Sequence, residues 1–283
     1  MVVFPNAKIN LGLRVKSRRP DGYHDLDTVF FPLPICDILE IIIQPKHAGN
    51  ESINFSSSGL EIPGDTTGNL CIKAYDLLKK DFPDLPPIEM HLHKNIPMGA
   101  GMGGGSADGA FTIRLLNEKF NLGLDADQMI SYALQLGSDC PFFILNTPVS
   151  ATGRGEIMEP VDCDLSGWKF IVINPGIHIS TAAAFRQIKL NPNAAPCHTL
   201  IKQPIENWRG NLVNDFEAAV FPMHPELEDI RNQLYALDAV YASMTGSGST
   251  IYGIFRELPD LKGIFPASYS CFSIDKGVAH RLS

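Results

Sequence analysis

Residues 7–15, AKINLGLRV, alternate with a period of two. Ala7, Ile9, Leu11, Leu13 and Val15 fall on one face, and Lys8, Asn10, Gly12 and Arg14 on the other, which predicts a strand. ILEIIIQ at 38–44, bounded by Pro34 and Pro45, predicts a second strand, and IEMHLH at 88–93 a third. Between them, GNLCIKAYDLLKKDF carries Leu70, Ala74, Leu77 and Leu78 at helical spacing. A glycine-rich stretch at 97–105 then precedes a predicted helix from about Ser106 to Lys119. Asp125 with Gln128 reads as a capping box that opens another helix, and Gly137 closes it. Past a run of turns and charges at 150–166, which reads as a domain seam, come the strand KFIVIN (169–174) and a short helix from Ser180. A Pro/Asn-rich connection at 190–204 leads to a helix over 226–237, striped by Leu227, Ile230, Leu234 and Leu237, and then to the strand IYGIF (251–255). Strands and helices come in mixed order without repeating βαβ units, so the predicted class is α+β.

Composition narrows the function. Hydrophobic residues make up 45% of the 283, enough for a sizeable core, and charged residues at 19% are too few for disorder. The formal net charge of -8 argues against a general nucleic-acid or membrane-surface binder. An anionic ligand must then be held by local donors against the global field. MVVFPNAKIN shows no basic region followed by a long apolar run, and no apolar run reaches the ~18 residues of a membrane span, so the expected location is cytoplasmic. The six cysteines form no C-x-x-C pair and are expected as free thiols. His91 and His93 would share one face of a strand as a possible metal pair, but no partner ligands stand nearby in sequence, and a solvated strand is the plainer reading.

The stretch PMGAGMGGGSADGA (97–110) is the strongest local signal. Gly99, Gly101 and Gly104 fit G-x-G-x-x-G. The dinucleotide-binding form requires an acidic residue at a strand end ~20 residues on, where this chain has NLGLDADQM, a loop and helix cap. A Walker loop requires Lys before Ser or Thr, and here Gly105 is followed by Ser106 and Ala107. A protein-kinase loop would come with HRD and DFG, and neither occurs. What remains is a backbone anion nest running into a helix start, which Ser106 and Asp108 favour. A tight strand-to-helix turn is the structural alternative. Asp108 as a metal contact is conceivable, with a helix-start carboxylate the simpler reading. Lys8 and Asn10 share the polar face of the first strand, where a solvated lysine is the alternative. Asp139 in LGSDCPFF (136–143) follows a helix stop, where a turn cap is the alternative. Cys140 reads as a small buried residue and GRGE (153–156) as a turn.

Together AKINLGLRV with RPDGYHDLDTVF, PMGAGMGGGSADGA, LGSDCPFF, NPGIHIST and MTGSGST resemble the GHMP kinase superfamily, in order from residue 7 to 250. The DGYH cluster close behind KINL resembles the members that act on a cytidine-diphosphate-bearing methylerythritol more than the mevalonate, homoserine or galactose kinases. The resemblance implies ATP-dependent phosphorylation of an alcohol with Mg2+, its ligands unassigned. It implies Lys8 and Asp139 as the catalytic pair. Pro97, Met98, Gly99, Ala100, Gly101, Met102, Gly103, Gly104, Gly105, Ser106 and Ala107 would cradle ATP, with Asn69 and Lys94 near the adenosine. Asn10, Tyr23, His24, Thr181 and Phe185 would lie on the substrate side, the aromatic groups around the cytosine. The implied fold is an ATP-binding domain over 1–155, like the second domain of ribosomal protein S5, and a ferredoxin-like domain over 156–283. A nucleotide-binding regulatory module is the rival reading, and Lys8 with Asp139 speaks against it, because a binder needs no base.

Overall fold

The computed structural model describes residues 1–44, 52–64 and 68–282. It divides into two compact units, each drawn from several chain segments. The first comprises Met1–Ala7, Cys36–Met98 and Gly103–Asn146, and the second Lys8–Ile35, Gly99–Met102 and Thr147–Ser283.

The first unit is built on a four-stranded sheet in the order β1 (Val2–Val3), β4 (Ile38–Ile43), β6 (Ile88–Lys94), β5 (Ile53–Gly59). β4 runs antiparallel to β6, placing Ile41 opposite Met90, and β5 runs parallel to it. One sheet face buries Leu39, Ile41, Ile88, Met90 and Leu92. The predicted first helix is α1 (Leu70–Asp81), capped by Asn69, whose side chain accepts the Cys71 N–H at 2.9 Å. Its buried face is Cys71, Ala74, Tyr75 and Leu78, rotated from the predicted stripe. Tyr75 joins that face because its hydroxyl reaches the Pro86 carbonyl at 3.0 Å.

α2 (Gly104–Phe120) begins two residues before Ser106, with Gly103 at its N-cap in a left-handed conformation (φ 71°). Ser106 and Asp108 therefore lie inside the helix and do not start it, a correction to the sequence reading. α3 (Ala126–Leu136) opens with the predicted capping box: Gln128 N–H to Asp125 Oδ1 and Asp125 N–H to Gln128 Oε1, both 2.9 Å. The short α4 (Cys140–Leu145) follows, with Asp139 at its N-cap position.

The second unit holds two sheets. One has the order β2 (Asn6–Arg18), β3 (His24–Cys36), β7 (Val149–Gly153), β8 (Ile157–Pro160). Residues 150–166, which looked like a seam, thus supply a hairpin paired to β3, and GRGE is its turn, closed by Gly155 N–H to Thr152 O at 3.0 Å. The other sheet is antiparallel throughout, in the order β10 (Tyr241–Met244), β11 (Ile251–Phe255), β9 (Lys169–Asn174), β12 (Ser270–Asp275), β13 (Val278–Leu282). Its helices are α5 (Thr181–Gln187), α6 (Cys197–Leu200), α7 (Glu217–Val220) and α8 (Pro225–Ala236). Leu227, Ile230 and Leu234 of α8 pack with Leu13, Val15, Ile171, Phe216, Met244 and Phe255 in one core. β2 is therefore a buried strand, and even its polar-face Lys8 and Asn10 are only 4% and 2% exposed.

Asn214 fastens this unit. Fully buried, it donates to Met244 O (2.7 Å) and Gly246 O (2.9 Å) and accepts the Phe216 N–H (3.0 Å). Its neighbours Val213 and Asp215 exchange backbone bonds with Leu13. Asn214→Ala leaves buried backbone groups unpaired, so urea denaturation is expected to show a loss of about 2–4 kcal/mol. A loss below about 1 kcal/mol would contradict this role.

Candidate active site

A buried lysine requires a polar partner. Lys8 Nζ donates to Asn10 Oδ1 at 2.6 Å and lies 4.8 Å from the Phe30 ring centre. Asn10 is bonded on every side: Nδ2 donates to Thr28 Oγ1 (3.0 Å), its N–H to Thr245 Oγ1 (3.0 Å), and its carbonyl accepts Tyr252 Oη–H (2.8 Å). The same elements grip the glycine loop. Lys8 N–H donates to Met102 O (2.9 Å), Thr245 Oγ1–H to Gly101 O (3.0 Å), and Thr250 N–H to Ala100 O (3.3 Å). Gly101 has φ +78°, and a Cβ there would stand 2.1 Å from Thr245 O, so only glycine fits. MTGSGST is thus the brace of the loop's first half.

The loop's second half belongs to the first unit. Gly104 lies so close to Ile96 that a Cβ would meet its Cγ2 at 2.9 Å. The first N–H groups of a helix have no intrahelical acceptor and face an anion favourably. Beside this end opens a cavity of about 250 Å³ lined by Ile62, Pro63, Gly64, Gly68, Asn69, Leu70, Leu92, Met98, Gly105 and Asp108. Asn69, Met98 and Gly105, all expected on the ATP side, therefore surround one space.

Lys94 lies beneath that space. Its side chain is fully buried and its ammonium bonds Asp37 and, at 2.7 Å, Asp108 Oδ2. Asp37 Oδ1 accepts the N–H groups of Asn95 (2.6 Å) and Ile96 (2.9 Å). Burial pulls the Lys94 ammonium down, but the two carboxylates outweigh it and hold it above the ordinary lysine range. Burial and the nearby Asp37 push Asp108 up to about 7, against the pull of Lys94. Sequence reasoning missed Asp108 as a cavity residue by placing it at the helix start. The available signal was a charged residue amid the apolar run Ala107, Gly109, Ala110 and Phe111.

Asp139 stands at the head of α4 and its side chain makes no helix-capping bond, so the turn-cap alternative does not describe it. Adjacent Cys140 is buried, and burial pushes its thiol up to about 12, which suits packing and not nucleophilic attack.

The remaining expected residues lie in the second unit. Tyr23 is 56% exposed, with the Arg154 guanidinium 5.0 Å from its ring centre, and its N–H bonds Asp21 Oδ1 at 3.1 Å in the Asp-Gly turn. His24 stacks on Phe185 (4.6 Å, 13°), and Phe185 meets Phe216 edge-on (4.8 Å). Burial, then the charge of Arg18, lowers the His24 pKa, so its imidazole is neutral at pH 7. Thr181 Oγ1 and Ser247 Oγ lie 3.0 Å apart, tying the start of α5 to the MTGSGST turn. His91 and His93 instead bond Ser56 and Ser58 across the β5–β6 pair. Among the described residues no group of three or more His, Cys, Asp or Glu could hold a metal ion, and no helix is long and apolar enough to cross a membrane. All six cysteines are free thiols.

Comparison with known proteins identifies the family. Residues 69–147 match the GHMP kinases N terminal domain and 194–266 the GHMP kinases C terminal domain. The chain is 48% identical over 276 residues to the 4-diphosphocytidyl-2-C-methyl-D-erythritol kinase of Bacteroides fragilis, covering 97% of this chain and 99% of that one. The Cytophaga hutchinsonii kinase of the same name is 48% identical over 261 residues, covering 92% and 94%. A crystal structure of 4-(cytidine 5'-diphospho)-2C-methyl-D-erythritol kinase superposes with a TM-score of 0.75 at 30% identity, covering 90% of each chain. With a glycine loop braced by a buried lysine strand, both family domains in order and full-length relatives at this identity, the chain belongs to the GHMP kinase family.

Proposed function

We propose that this kinase transfers the terminal phosphoryl group of ATP to the 2-hydroxyl of 4-diphosphocytidyl-2-C-methyl-D-erythritol, in the non-mevalonate route to isoprenoid precursors. The observation that carries the choice of acceptor is the near-complete match to relatives of that name. The bracing of the glycine loop by the Lys8–Asn10 strand supports the chemistry. We assign the ATP-binding role to residues 1–155, which hold the loop, Asn69 and Lys94, and the remaining substrate contacts, Thr181 and Phe185, to residues 156–283.

Phosphoryl transfer depends on positioning and charge stabilisation more than on covalent catalysis. Residues 97–107 supply backbone N–H donors to the phosphates, which is how a chain of net charge -8 holds a polyanion. Asp139 accepts the proton of the attacking hydroxyl, and Lys8 stabilises the charge that develops on it. Lys8 is prepared for this because Asn10 and the Phe30 ring fix its ammonium before substrate arrives. Lys94 acts on the adenosine side indirectly, through Asp108. Tyr23 offers the cytosine an exposed ring. His24 already covers part of Phe185, so it presents a neutral imidazole edge able to donate at one nitrogen and accept at the other. Thr181 and Asn10 complete the substrate side. Mg2+ bound with the ATP phosphates would neutralise part of their charge during transfer. The place of work is the cytoplasm, with no nucleic-acid or membrane partner.

Three variants test these roles. Asp139→Ala is expected to lower kcat by about 10²–10⁴-fold, with ADP affinity by calorimetry within about threefold of the parent. Turnover retained within a few-fold would remove Asp139 from the chemistry. Tyr23→Ala is expected to raise the KM for the cytidylyl acceptor about 5–100-fold and leave the KM for ATP unchanged. Equal shifts in both KM values would contradict a pyrimidine platform. Gly101→Ala, whose Cβ meets Thr245 O, is expected to weaken ADP binding by at least about tenfold, while Gly167→Ala, with open space around its Cβ and no positive φ, does not.

A further inference from the structure

The Lys94–Asp37–Asp108 cluster is asymmetric. Asp37 is fully engaged: one oxygen accepts two backbone N–H groups and the other takes Lys94. Asp108 is only half engaged. Its Oδ2 takes Lys94, while Oδ1 is shielded from solvent and has no hydrogen-bond partner among the described residues. The residue as a whole is 3% exposed and forms part of the cavity wall beside Gly105, Asn69 and Met98. Two nearby donors are committed elsewhere. The Thr112 hydroxyl bonds the Asp108 backbone carbonyl at 2.7 Å, and the Cys71 N–H bonds Asn69 Oδ1. A buried, unsatisfied carboxylate oxygen on a cavity wall is costly unless an occupant brings the missing donor.

We propose that Asp108 is a nucleoside-selecting residue, whose Oδ1 accepts a hydrogen bond from an N–H or O–H donor of the ATP adenosine in this cavity. This rests on the kinase reading above, and it adds a residue and a discriminating bond. A donor fits better than a metal ion here. The carboxylate already shares its charge with the Lys94 ammonium, and among the described residues no group of three or more His, Cys, Asp or Glu could hold a metal ion. The groups facing Asp108 are Lys94 from β6, Asp37 from the β3–β4 link and Cys71 from α1, whose thiol burial keeps neutral. A charged carboxylate accepts more strongly, and a proton on Oδ1 would compete with the incoming donor, so binding is linked to proton release. Burial holds the carboxyl near 7, so nucleoside affinity rises as pH climbs through that value.

The test is a cycle of calorimetric Kd values for the full chain and its Asp108→Asn and Asp108→Ala variants. The probes are ADP, its purine analogue lacking the 6-amino group, and its 2'-deoxy and 3'-deoxy analogues. On the parent, one analogue is expected to bind about tenfold or more weaker than ADP. In Asp108→Asn the amide oxygen keeps Lys94 and the NH2 faces the cavity, so that penalty is expected to vanish or reverse. If Asp108→Ala does not fold, the isosteric Asn variant still completes the cycle. From pH 6 to 8 the parent is expected to gain ADP affinity relative to Asp108→Asn, with phosphate ionisation common to both. The proposal is overturned if no analogue loses more than twofold on the parent or if the penalty persists in Asp108→Asn. It is equally overturned if the relative pH trend is flat or inverted, or if Mg2+ alone binds the parent and not Asp108→Asn. Parent turnover of the acceptor, measured alongside, separates the two readings. Analogue discrimination without phosphorylation overturns only the kinase assignment, and phosphorylation without discrimination overturns only this one.

Discussion

The buried bonding around Asn10 is the constraint on which the loop-bearing unit depends. A strand buried on both faces cannot leave a lysine or an amide unpaired. Asn10 meets this by bonding Lys8, Thr28, Thr245 and Tyr252 together. These four partners lie in β2, β3, the turn after β10, and β11, so one side chain and its backbone fix where three distant stretches of sequence meet. The glycine loop inherits that order, because Met102 O and Gly101 O accept from Lys8 N–H and the Thr245 hydroxyl. Preorganisation of this kind is what phosphoryl transfer asks of a protein, since donors already in place need not reorganise as charge shifts.

A second economy concerns charge. The chain is acidic overall, yet the function requires it to hold two anionic ligands. In the role proposed above, backbone N–H groups of the loop and the helix start carry the phosphates. Lys8 is fixed by an amide and a ring, whereas Lys94 is surrounded by two carboxylates and never reaches solvent. The second arrangement converts a positive charge into a support for Asp108, so the cavity wall presents an acceptor where the sequence alone suggested a cation.

Much of this was legible in the residues, for physical reasons. The period-two pattern of residues 7–15 and the Asp125–Gln128 box are local signals, and both elements form where expected. The α+β reading and the two-domain GHMP kinase fold stand. What was hidden is long-range. Alternation marks Lys8 and Asn10 as polar-face residues, but only tertiary packing buries that face. β3 was unread because Pro32 and Pro34 and the Asp-Gly turn before it resemble loop chemistry, although Pro is tolerated where its missing N–H is not needed. The start of α2 was misplaced because Ser106 looks like a cap, while Gly103 reaches the left-handed geometry that begins the helix. Lys94 was singled out by resemblance alone, and no spacing rule reveals that Asp37 and Asp108 bond its ammonium.

The central claim is a specific phosphorylation, and phosphorus NMR of the purified chain with ATP and Mg2+ tests it most directly. The chain is given 4-diphosphocytidyl-2-C-methyl-D-erythritol, mevalonate and homoserine in separate reactions. The account predicts ADP and a new phosphomonoester resonance with the cytidylyl acceptor, and neither above background with the other two. ADP without a new ester, or an equal or faster reaction with mevalonate or homoserine, would contradict it.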